Sequence, residues 1–69
     1  MEAVLRALAA RQPVGVAVTM QPEVQSVSEL TVDVAYKHKG WLVLKHYHVS
    51  ILEDRVSIIL EKFQIKRTG

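Results

Sequence analysis

The residues best suited to chemistry lie between Tyr36 and His48. There Tyr36-Lys37-His38-Lys39-Gly40-Trp41 runs on to Lys45-His46-Tyr47-His48, with no acid from Tyr36 to Ser50. Bases interleaved with aromatic rings can neutralise phosphates and stack on nucleobases. Lys37, His38, Lys39, Lys45, His46 and His48 are therefore a candidate surface for nucleic acid or another acidic partner. The competing reading is a solvated hairpin tip beside ordinary core aromatics, because Trp41, Val43 and Tyr47 fall on one face of a strand.

His46 and His48 stand two residues apart, which places both imidazoles on one strand face. Some metal sites on sheets use this spacing, and Glu61 or Glu29 is a conceivable third ligand. Surface histidines so spaced are common, however, and His46 beside Glu61 also fits an ordinary cross-strand pair, so no metal and no other cofactor is assigned. Protonating His38, His46 and His48 would add charge to a stretch already basic and could make assembly pH-sensitive.

Catalysis has little to work with. Ser26, Ser28, Ser50 and Ser57 lie in no nucleophile elbow, Gly15 stands alone rather than in a phosphate-cradling loop, and Glu53-Asp54 suits a turn better than a carboxylate dyad. The expectation is that the protein is not an enzyme.

The elements that must position these residues follow from periodicity. Glu2 to Arg11 reads as a short helix with Val4, Leu5 and Leu8 on one stripe, an acid in its first turn and a base in its last, ended by Pro13. Val14, Val16, Val18 and Met20 alternate with Gly15, Ala17 and Thr19 as a first strand whose small face is expected to lie under the helix, and Gln21 to Ser28 reads as a loop. Leu30 to Lys37 alternates as a second strand. Lys37-His38-Lys39-Gly40 reads as a turn that brings Tyr36 opposite Trp41, and Trp41 to Leu52 forms a long third strand.

Residues 54 to 66 fit two periodicities. Leu52, Val56, Ile59, Leu60 and Phe63 make a helical stripe, and Ser50-x-x-Glu53 resembles a capping box, which would give an α-β-β-β-α chain. The β-branched density of Val56-Ser57-Ile58-Ile59-Leu60 after a two-residue turn at Glu53-Asp54 favours a fourth strand. Counting from that turn puts Ile51 opposite Val56, Val49 opposite Ile58, Tyr47 opposite Leu60 and His46 opposite Glu61. Leu42, Leu44, Ile59, Phe63 and Ile65 then fall together on the second sheet face. Lys66-Arg67-Thr68-Gly69 reads as a frayed charged end, with a basic tail touching phosphate as the alternative.

Composition sets the frame for these elements. The chain has 69 residues, 49% of them hydrophobic, and no cysteine, so disulfides and thiolate zinc sites are excluded. This length leaves no room for a doubly wound sheet or a barrel of strand-helix units, and a domain this small is marginal without a staple or a partner. Net charge is +2. It is unevenly spread: residues 1 to 34 set two arginines against four acids, and residues 35 to 69 set seven bases against three acids. Glu2, Arg6 and Arg11 interrupt the N-terminal apolar stretch, and no run is long enough to cross a bilayer, so a cytoplasmic protein without membrane contact is expected.

Two apolar sheet faces and one short helix leave one face partly bare. The sequence thus predicts a small α+β domain over residues 1 to 69, a short N-terminal helix on a mostly antiparallel sheet of about four strands. It is expected to act as a non-enzymatic homo-oligomeric interaction or assembly module. Its expected partners are a second copy through Leu42, Leu44, Ile59, Phe63 and Ile65, and another protein. The alternative is a nucleic-acid-binding or regulatory module using the basic-aromatic stretch.

Overall fold

A computed structural model describes residues 1–68. One helix precedes a four-stranded antiparallel sheet: α1 (Glu2–Ala9), β1 (Val18–Val24), β2 (Glu29–His38), β3 (Trp41–Leu52) and β4 (Arg55–Arg67). Spatial order equals chain order, β1-β2-β3-β4, so every connection joins neighbours. After the turn at Glu53-Asp54, residues 55 to 66 belong to β4, and the alternative C-terminal helix is not seen.

The helix ends earlier than its stripe suggests. Beyond Ala9 the chain tightens into three-residue turns, with Arg11 N–H donating to Leu8 O and Gln12 N–H to Ala9 O, both at 3.0 Å. This winding lets the buried Gln12 face the sheet just ahead of Pro13. Its amide donates to Leu8 O (2.8 Å) and to the Tyr47 hydroxyl (3.1 Å), while Lys45 Nζ donates to its Oε1 (2.8 Å). One side chain thereby satisfies a helix-end carbonyl and joins the helix terminus to β3.

The first strand is displaced towards the C-terminus. The alternation starting at Val14 is broken by Gly15 at φ 80°, Val14 is fully exposed, and pairing begins only at Val18. It continues through the segment expected to be a loop as far as Val24, with Pro22 opposite Val32. Proline is tolerated there because β1 is an edge strand and needs no donor on its outer side.

Cross-strand register sorts the side chains into rows. The helix packs on the Val18-Met20 face of β1 and not on its small face, where Thr19 lies, because the larger side chains supply the core. The rows on this helix side are Val18-Tyr36-Val43-Ile65, Met20-Val34-Lys45-Phe63, Pro22-Val32-Tyr47-Leu60 and Val24-Leu30-Val49-Ile58. Their β2 and β3 members, apart from Lys45, form the core with Val4 and Leu8 of α1, and Leu8, Val32 and Val49 are wholly buried.

Two turns and one bulge set this register. Trp41 lies opposite His38 and not Tyr36, because the β2-β3 turn is only two residues long, Lys39 and Gly40. Both take positive φ (51° and 81°), the geometry that matches the twist of a two-residue hairpin. Gly40 adopts it freely, and Lys39 does so at a cost. Lys39→Asn is expected to stabilise the fold by about 0.5–1 kcal/mol, a rise in melting temperature of about 2–8 °C. A melt that stays level or falls would contradict this turn geometry.

The second turn, Glu53-Asp54, delivers the expected pairs Ile51-Val56, Val49-Ile58 and Tyr47-Leu60. The count then slips by one: His46 lies opposite Lys62, and Glu61 is an extra residue that bulges between Leu60 and Lys62. The slip corrects the face assigned to the end of β4. Phe63 and Ile65 lie in the helix-side rows with Lys45 and Val43, and of the five residues expected on the far face only Leu42, Leu44 and Ile59 are there.

The end of the chain is not frayed. Lys66 and Arg67 are in β4, and Thr68 N–H and Oγ1 both donate to Gly40 O at 3.0 and 2.9 Å. Gly69, the last residue of the expected tail, lies outside the described residues.

Candidate interaction surfaces of the sheet

Three surfaces remain after the helix has packed: the far face of the sheet, the basic end at the β2-β3 turn, and the outer side of β4. The expected partner-binding residues do not gather on any one of them. Lys37, His46 and His48 lie on the far face. His38 shares the helix side with Trp41, and Lys39 occupies the turn. Lys45 faces the helix, bonded to Gln12, with its ammonium 5.3 Å from the Tyr36 ring centroid and 6.0 Å from that of Phe63. It is held in place by these contacts and is not available to a ligand on the far face.

The far face carries two adjacent rows, Thr19-Ala35-Leu44-Gln64 and Gln21-Asp33-His46-Lys62, that line a shallow depression of about 400 Å³. The small Ala35 side chain leaves room at its centre. His46 Nδ1 is hydrogen-bonded to the Asp33 carboxylate. The other ring nitrogen, Nε2, faces Glu61 at 3.8 Å. His48 is bracketed in the same way, with Nε2 3.8 Å from Glu29 and Nδ1 3.8 Å from Glu61.

Both imidazoles are thus interleaved with carboxylates, and their neighbourhood is mixed in charge rather than basic. Glu29 and Glu61, conceivable as metal ligands on sequence, do approach the histidines. Among the described residues, however, no three histidine or carboxylate groups converge to hold a metal ion.

No protein-family profile, no curated protein and no solved structure matches this chain.

The basic charge gathers instead at the end of the sheet. Lys37, Leu42 and Lys66 form one far-face row, Lys39 projects from the turn, and Arg67 stacks 5.4 Å over the half-exposed Trp41 ring. Sequence reading missed Lys66 and Arg67 as partners of this stretch, because only the β3-β4 pairing folds residues 66 and 67 back beside 41 and 42.

The third surface is the most unusual. An eight-residue helix is about 12 Å long, whereas the molecule extends 43 Å along its longest axis. The helix covers β2 and β3 and stops short of β4. Leu60, Phe63 and Ile65 remain 46%, 51% and 50% exposed although their row-mates Tyr47 and Val43 are buried, and Val56 is 49% exposed. β4 is also an edge strand of 13 residues without proline, so its outer backbone donors and acceptors have no partner within the sheet. No helix among the described residues is long and apolar enough to cross a membrane.

Proposed function

We propose that this chain is a non-enzymatic self-associating module. The observation that carries the reading is β4, an open 13-residue edge whose helix-side residues are apolar and half-exposed. A long edge strand offers unpaired backbone groups to a further strand, and monomers seldom leave contiguous apolar surface in water. A chain this small gains from a second copy what it cannot obtain from its own core. The interface centres on Phe63 and Ile65 with Leu60, and the far-face residues Leu42, Leu44 and Ile59 are peripheral to it.

Sedimentation at micromolar concentration tests this reading. A species heavier than the 7.8 kDa monomer is expected. Phe63→Ser should raise its dissociation constant about tenfold, since aromatic anchors dominate interfaces. A wild-type protein that sediments only as a monomer at these concentrations would overturn the reading.

A second reading, nucleic-acid binding, is favoured by the single cluster of Lys37, Lys39, Lys66 and Arg67 beside Trp41. Reversing the charge at Lys37 and Lys39 separates the two readings. Under the second, binding to single-stranded nucleic acid that weakens as salt rises is lost while association persists. Under the first there is no such binding to lose.

A further inference from the structure

The bulge at Glu61 gives β4 a symmetry that a regular strand of the same composition would lack. Residues directly opposite each other in an antiparallel pair always share a face. When a regular strand pairs with its own copy about a two-fold axis, some residue must therefore lie opposite itself. Near the middle of β4 that would set Glu61 against Glu61 or Lys62 against Lys62, like charges in direct opposition.

The extra residue removes this conflict. Glu61 and Lys62 both lie on the far face: Glu61 reaches His46 and His48, and Lys62 sits opposite His46. An axis can therefore pass between them.

We propose that two copies pair β4 against β4 about an axis through this bulge, an inference that rests on the self-association reading above. Glu61 of each copy then lies opposite Lys62 of the other, giving two complementary charge pairs. Outward from the axis, the helix-side apolar residues mirror one another, with Leu60 opposite Phe63 and Ile58 opposite Ile65 of the second copy. On the far face Ile59 meets Gln64, and Ser57 meets Lys66. Every pair matches face to face, and none sets like charges together.

The axis stands perpendicular to the sheet. The product is a continuous eight-stranded sheet with both helices on one side and the two β4 strands forming the floor between them.

The register can be tested by cross-linking, because the chain has no cysteine of its own. A chain carrying Ile58→Cys is mixed with one carrying Ile65→Cys and oxidised, and each is also oxidised alone. Directly opposed strand positions have β-carbons close enough for a disulfide, whereas residue 58 and its own copy would lie about 20 Å apart, six strand steps once the bulge is discounted. The expected result is a disulfide-linked heterodimer in the mixture at no less than about ten times the yield of either homodimer.

A charge exchange supplies an independent readout. Glu61→Lys should raise the dissociation constant about tenfold, and adding Lys62→Glu to the same chain should restore it. A protein that sediments as a dimer yet gives no 58-65 link, or gives 58-58 links, would overturn this pairing and leave self-association standing. A double exchange that fails to restore association in a folded protein would overturn it equally. A wild-type monomer would overturn both readings.

Discussion

Replacing Leu8 with alanine is expected to cost about 2–5 kcal/mol, enough to leave the isolated chain partly unfolded at room temperature. Little covers the sheet. α1 is the single helix of the chain's described residues, and it buries two side chains, Val4 and Leu8, against seven from β2 and β3. Leu8 is wholly inaccessible to solvent.

Truncating it leaves a cavity in the core that Leu8 shares with Val32 and Val34, and a helix of eight residues has too little intrinsic stability to hold its place without that burial. Urea denaturation followed by Trp41 fluorescence measures the loss. Arg6→Ala is the control: Arg6 makes only an exposed ion pair with Glu2 at 2.9 Å and should change stability by less than about 0.5 kcal/mol. A cost below about 1 kcal/mol for Leu8→Ala would mean that the helix does not hold the sheet in solution.

Removing Glu61 should have the opposite profile, an intact fold with lost association. Glu61 is the extra residue of the bulge, so its deletion leaves Leu60, Lys62 and Phe63 alternating regularly against Tyr47, His46 and Lys45, with every remaining side chain on its present face. Its contacts with His46 and His48, both 3.8 Å on a solvent-exposed face, contribute little. Unfolding free energy should therefore change by less than about 1 kcal/mol.

Pairing between copies would lose both Glu61-Lys62 contacts and bring Lys62 opposite itself on the axis. The dissociation constant should rise about 30-fold, read by sedimentation over a concentration series. Unchanged association of a folded deletion variant would show that the bulge does not lie at the interface.

The bulge also marks where sequence reading stops. The limits of β3, the turn at Glu53-Asp54 and the three pairs nearest to it can be counted from the chain, because a two-residue turn pins register and alternation keeps it. Nothing in Leu60-Glu61-Lys62 announces an extra residue, since polar side chains fit either face, and a miscount by one moved Phe63 and Ile65 across the sheet. The start of β1 failed for a different reason. Valines at Val14 and Val16 look like strand, yet Pro13 and Gly15 bend the chain there, and the pairing taken up later tolerates Pro22 because it runs along an edge.

The histidine pair was readable as a pair but not as a network. The carboxylates that bracket it come from β2 and β4, brought in by pairing alone.

Pro22 has a further consequence for any assembly built on β4. Joining two copies through β4 leaves a β1 strand at each outer border of the sheet. β1 has only seven residues, carries Glu23 beside the proline, and lacks at Pro22 the N–H that an added strand would need. The two borders of this molecule are thus unlike, one fit to receive a copy and the other to refuse one. In the pairing proposed above, growth would terminate after a single addition, giving a closed pair rather than a fibre.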